Sequence, residues 1–292
     1  MPNFLDYKKE RINKILLNEY LRNFISKNNI DIGFINEHFS IFNDCLSSLE
    51  ICEKCQGLKL CKQRKKGEYI GLINEGFINN EVHYCREFLV QERLDEKSKS
   101  FVYCDIPTIL YGLNLDNIET DKYLKDLFVM CYQIYQGKNS KGLYIYGDIG
   151  VGKTYMAIAL ANSLLAKGKK VAFIKTNDFV SMMTKQIMDD VLQYDYLVNR
   201  IKKADFVIFD DIGSEPVSEF VRDRLLFNIL DYRMENKLST IFTSNLDMNS
   251  LFIHYSFETK NSIKAKRLIE RIEILTDTYC LEGNDRRRLQ ND

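Results

Sequence analysis

Three prolines among 292 residues leave no material for a long proline-rich linker. The 41 Lys and Arg residues are matched by 41 Asp and Glu. No bulk basic field therefore marks the chain as a duplex-DNA binder, although a local basic patch can still exist. No apolar run approaches the roughly 20 residues that span a bilayer. The opening Met1-Pro2-Asn3-Phe4-Leu5-Asp6 lacks an export-signal pattern, so a cytoplasmic protein with no membrane partner is expected. In a reducing compartment the eight cysteines are expected to bind metal or pack in cores rather than form disulfides.

What the chain does have is one glycine-rich stretch that organises the rest: Gly147-Asp148-Ile149-Gly150-Val151-Gly152-Lys153-Thr154. An apolar run, Leu143-Tyr144-Ile145-Tyr146, precedes it, and a helical segment from Tyr155 to Lys167 follows. Strand, glycine loop and helix stand in the order a P-loop requires. Glycines let successive N–H groups turn toward one anion, and the helix dipole adds to the same point. Lys153 is expected to reach the β- and γ-phosphates and Thr154 to ligate Mg²⁺.

Further on, Phe206-Val207-Ile208-Phe209 runs into Asp210-Asp211. A buried apolar strand ending in two acids, one αβ unit beyond a P-loop, has the Walker B pattern. Asp210 is expected to hold Mg²⁺ and Asp211 to orient the attacking water. A later strand, Ser239 to Ser244, ends in Asn245, which can hydrogen-bond that water or the γ-phosphate. Arg267 and Arg271 lie four apart on one face of a helix over 264–272. Ile109 or Tyr111 is a candidate contact for a nucleobase. Phe173 and Lys175 on the strand from Val171 are conceivable contacts for single-stranded nucleic acid, although a phenylalanine there fits a core equally well. Strands alternating with helices predict a parallel sheet sandwiched by helices, an α/β fold.

The first third reads differently. Residues 7–27 form an amphipathic helix by pattern, and Asp31 caps a second whose apolar positions run from Ile32 to Leu49. These helices pack on each other or offer a face to a partner. Cys52 and Cys55 make a C-x₂-C knuckle, and Cys61 and Cys85 bring the thiolates to the four that Zn²⁺ prefers, with His83 in reserve. A hairpin around Asn74-Glu75-Gly76 separates Cys61 from Cys85. The remaining thiols, Cys45, Cys104, Cys131 and Cys280, look isolated. A polar helix from Arg86 frays into a linker, which places the domain boundary near 104: residues 1–104, then 105–292.

Taken together, the P-loop, Phe209-Asp210-Asp211-Ile212-Gly213-Ser214-Glu215, Val221-Arg222-Asp223, Thr243-Ser244-Asn245, Arg267-Leu268-Ile269-Glu270-Arg271-Ile272 and Arg286-Arg287 resemble the bacterial replicative-helicase loaders of the DnaI/DnaC family, of the DnaI type. The resemblance is specific over about 105–288 and looser before it. It implies an AAA+ ATPase fold behind a small helical, zinc-binding N-terminal domain. It implies ATP, Mg²⁺ and structural Zn²⁺ as cofactors. By that resemblance residues 1–104 grip the hexameric helicase, while the AAA+ domain binds ATP and single-stranded DNA. Asn245 would be sensor 1, Arg271 or Arg267 the arginine finger at a self-association face, and Arg287 or Arg286 sensor 2.

Two positions depart from the family pattern. Tyr69-Ile70 stands where the DnaI type has a histidine ligand, so Cys61 would have to complete the site. Asp211 stands where many AAA+ proteins carry Glu, one methylene longer, which suggests ATP as a slow switch rather than a fuel. Two other function classes share some features. One is an ATPase helper for transposition, with nearly the same core. The other is a zinc adaptor with a structural nucleotide site.

Overall fold

A computed structural model describes residues 4–257 and 262–286, so Arg287 lies outside the described residues. The chain divides into two compact units, Met1–Asp95 and Glu96–Asp292.

The first unit contains helices α1 (Phe4–Leu17), α2 (Glu19–Lys27), α3 (Ile32–Glu37) and α4 (Phe39–Cys52), then strands β1 (Glu68–Asn74) and β2 (Ile78–Tyr84). The expected helix over 7–27 is broken at Asn18. Its side chain accepts from the Leu21 N–H at 3.2 Å and starts a new helix rather than continuing the old one. Asp31 caps α3 by accepting from the Phe34 N–H at 2.7 Å. The expected second helix is likewise two, stepping at His38. β1 and β2 pair antiparallel, with Glu68 opposite Tyr84 and Asn74 opposite Ile78, as the hairpin pattern predicts. Ile15, Leu21, Ile35, Phe42 and Leu46 form the core, closed on the hairpin side by Leu72. Arg11 of α1 donates to Asn43 and Glu50 of α4 and fixes the two helices together.

Helix α5 (Arg86–Ser100) runs across the division between the units. Strand β3 (Tyr103–Cys104) already pairs with the large sheet, so residues 103–104, read from sequence as the end of a linker, belong to the second unit. There follow α6 (Lys125–Tyr135), β4 (Gly142–Tyr146), α7 (Lys153–Ala166), β5 (Val171–Lys175), α8 (Thr176–Asp189), α9 (Val191–Lys202) and β6 (Phe206–Asp210). A π-helical turn, Phe220–Leu226, leads into α10 (Phe227–Glu235), then β7 (Thr240–Ser244), α11 (Met248–Phe257), α12 (Ser262–Leu275) and β8 (Thr276–Cys280).

The six strands run in the order β3-β5-β6-β7-β4-β8, and every pairing is parallel. The strands are near-continuous apolar runs because helices cover both faces of such a sheet. Leu143, Ile145, Phe173, Val207, Phe209, Ile241 and Phe242 are all buried. β7 lies between β4 and β6, so the carboxyl ends of these three strands stand side by side, where open α/β sheets bind ligands. Close approach of β4 to β7 requires Gly142, where a Cβ would sit 1.7 Å from the Thr240 carbonyl oxygen. Buried Arg233 of α10 donates to the carbonyls of Ala204 and Ser239 and to Thr240 Oγ1, tying the starts of β6 and β7 together. Among the described residues no helix is long and apolar enough to cross a membrane.

Candidate functional site

The loop 147–152 joins the end of β4 to the start of α7. Gly150 adopts φ +86°, and a Cβ there would lie 2.0 Å from Asp285 Oδ1. That backbone conformation favours glycine, and at Gly147 a Cβ would lie 2.2 Å from the Leu281 carbonyl oxygen of the returning chain. The Lys153 ammonium is buried and donates to the carbonyls of Gly147 and Asp148, at 2.7 Å each, and to Asn245 Oδ1 at 2.9 Å. Burial lowers its pKa, opposed by the carboxylates of Asp211, Asp210 and Asp148. A cation so placed favours a polyphosphate in the cavity, whose charge compensates for the lost hydration.

Asp210 ends β6 and is buried. Its Oδ1 accepts from Thr154 Oγ1 at 2.8 Å and from Thr243 Oγ1 at 2.6 Å. Burial raises its pKa, and the two hydroxyls oppose that rise. A hydroxyl beside a carboxylate is a hard oxygen donor pair of the kind Mg²⁺ takes. Thr154 and Asp210 therefore fit the role of holding Mg²⁺.

Asp211 has φ +58°, a left-handed conformation that a short polar side chain tolerates better than most. Three neighbours hold it there. Its N–H donates to Thr243 Oγ1 at 2.9 Å, its carbonyl accepts from Ser214 Oγ at 2.7 Å, and its Oδ1 accepts from Asn245 Nδ2 at 2.9 Å. Thr243 thus joins both acids through one hydroxyl. Sequence reasoning did not single it out, although a β-branched polar residue inside the apolar run of β7 was the available signal. Glu215, buried three residues beyond Ile212, accepts from the Gly213 N–H at 2.9 Å and from the Tyr255 hydroxyl, and so anchors the same turn to α11.

Lys153, Thr154, Asp210, Asp211, Thr243 and Asn245 surround one cavity of about 840 Å³, lined also by Ile149, Tyr155, Ile158, Lys175 and Arg286. Of the nucleobase candidates, Ile109 is 89% exposed and Tyr111 is buried, while Leu110 between them lines the cavity. Phe173 is fully buried in the sheet core. Arg286 lies along the loop: its N–H donates to the Gly150 carbonyl at 3.0 Å, its Nε to the Val151 carbonyl at 2.8 Å, and it pairs with Asp121 at 2.7 Å. That guanidinium holds the Asp121 carboxyl below its usual range. Arg267 and Arg271 sit elsewhere, on α12. Both guanidinium groups stack on Phe227, at 4.8 and 5.2 Å from the ring centroid, and Arg271 pairs with Asp231 at 2.7 Å.

Zinc is the expectation at Cys52, Cys55, Cys61 and Cys85, with His83 in reserve. Among the described residues no group of three or more His, Cys, Asp or Glu side chains is placed to hold a metal ion. Cys52 Sγ accepts from Gln63 Nε2 at 3.1 Å, Cys55 is exposed, and His83 stacks on Tyr69. The backbone N–H groups of Gly67 and Gln63 lower the pKa of the Cys61 thiol.

Residues 120–290 match the family described as IstB-like ATP binding protein. Over its length the chain is similar to the replicative helicase loader DnaI of Bacillus subtilis (strain 168), at 27% identity across 98% of this chain and 95% of that one. It is also similar to the replicative helicase loader DnaC of Escherichia coli (strain K12), at 29% identity across 36% of this chain and 42% of that one. A crystal structure of DnaI superposes with a TM-score of 0.55 at 30% identity, across 62% of this chain and 96% of that one.

Proposed function

The chain belongs to the IstB-like ATP-binding protein family, and from that premise we propose that it is an AAA+ ATPase that loads a hexameric replicative helicase onto single-stranded DNA. The observation that carries this reading is similarity to a helicase loader across 98% of the chain, including the N-terminal unit that an ATPase core alone would not need.

In this reading ATP lies in the 147–154 loop with its phosphates on Lys153. Mg²⁺, held by Thr154 and Asp210, neutralises phosphate charge when bound. Asp211 and Asn245 orient the attacking water. Arg271, with Arg267 beside it, serves a neighbouring copy of the chain at the self-association face, since neither lines its own cavity. Arg286 or Arg287 reads the nucleotide from the C-terminal side. The first unit, residues 1–95, grips the helicase, and the second, residues 96–292, acts on ATP and DNA. ATP works as a slow switch of affinity for both partners.

A transposition helper would share the core. The N-terminal match to a helicase loader favours loading. The test is a loading assay on circular single-stranded DNA with the cognate helicase, ATP and Mg²⁺. Unwinding that depends on the chain, and fails with Arg271→Ala although that variant still binds ATP, supports the reading. Unwinding that is indifferent to the chain contradicts it.

A further inference from the structure

Lys175 closes β5, and its register partner on β6 is Asp210. Paired strands lie about 4.8 Å apart, and side chains in register project to the same face. The Asp210 carboxylate faces Thr154 at the start of α7, so Lys175 stands on the phosphate side of the sheet, where it lines the cavity with Asp210, Asp211 and Asn245. Its backbone is pinned, since its N–H donates to Asp105 Oδ2 at 2.9 Å.

The three cations of the cavity are used differently. Lys153 donates to two carbonyls and Asn245, and Arg286 to Val151 and Asp121. Among the described residues the Lys175 ammonium has no hydrogen-bond or ion-pair partner, although the residue is half-buried. Burial raises the carboxyl pKa of both Asp210 and Asp105, and the charge of Lys175 is among the influences that oppose that rise. An ammonium partly removed from water and given no protein acceptor is set to accept an anion from the cavity. β5 lies on the far side of β6 from β7 and β4. Lys175 therefore approaches the end of the polyphosphate nearest Asp210, away from the loop that wraps the inner phosphates.

We infer that Lys175 is a further catalytic residue, a cation that contacts the terminal phosphate of a nucleoside triphosphate from within the same chain. The inference rests on the ATP reading of this cavity. It gives the site a charge of its own at the γ-position, independent of any arginine from a neighbouring copy. It also takes Lys175 away from single-stranded DNA, the other anion such a lysine could serve.

The test compares a non-hydrolysable triphosphate, AMP-PNP, with ADP by calorimetry on the full chain with Mg²⁺. One charge-assisted contact corresponds to a loss of about tenfold in affinity. Lys175→Met, which keeps the aliphatic stem, is expected to weaken AMP-PNP about tenfold and ADP less than about twofold, whereas Lys175→Arg retains the discrimination. Equal weakening of both nucleotides, or of neither, overturns the inference. So does loss of single-stranded DNA binding by Lys175→Met with nucleotide affinities unchanged. Wild-type protein that binds neither nucleotide overturns the ATP reading itself, and Lys153→Ala, expected to lose both, marks what that outcome looks like.

Discussion

The side-chain amide of Asn245, at the tip of β7, donates to Asp211 Oδ1 at 2.9 Å. The other end of the same carboxamide accepts from Lys153. The residue that holds the Asp211 carboxylate therefore also holds the Lys153 ammonium, and the two are set by one side chain. Asn245→Ala is expected to lower ATP turnover by roughly tenfold to a hundredfold, the range for losing a positioned donor at the reacting phosphate. Lys153 keeps two carbonyl acceptors, so ATP affinity is expected to change far less. Paired measurements of turnover and of nucleotide dissociation check the split.

Thr243 donates to Asp210 and accepts from the Asp211 N–H. Thr243→Val keeps the shape and removes both bonds, leaving a buried carboxylate oxygen and an amide without this partner. The expected cost is about 1–3 kcal/mol of stability, read by urea denaturation, and a larger loss of Mg²⁺-dependent turnover. Thr243→Ser, which keeps the hydroxyl, is expected to recover most of both.

Much of this site could be read from the chain because its parts are local. A glycine loop between an apolar run and a helix fixes Lys153 and Thr154 within one βα unit, and a strand ending in two acids fixes Asp210 and Asp211. What the sequence hid depends on pairing across the sheet. That Thr243 sits between the acids follows from β7 lying beside β6, and that Lys175 faces Asp210 follows from the register of β5. The break at Asn18 turned on a single capping side chain inside an otherwise helical pattern. The spacing of Cys52, Cys55 and Cys61 is local, but whether four ligands converge is a long-range property.

Glu215 provides a pH signature. Burial raises its carboxyl above the ordinary value of 4.5, opposed by the Tyr255 hydroxyl and the Gly213 N–H. The folded state then binds more protons than the unfolded state between the two pKa values, so this group's contribution to stability falls as pH rises. The stability of the wild type relative to Glu215→Gln is expected to decline from pH 4.5 upward, through the folded pKa, and then level off. Urea denaturation of both proteins across that range checks the sign. A difference that grows with pH contradicts it.

The account rests on a nucleotide-dependent grip on a helicase. Its most direct test is size-exclusion chromatography of the full chain with the hexameric replicative helicase of the same cell, with and without ATP and Mg²⁺. The account predicts co-elution whose extent changes with nucleotide for the wild type and does not change for Lys153→Ala. Failure to co-elute under any nucleotide condition would contradict the helicase reading and make a transposase the partner to test.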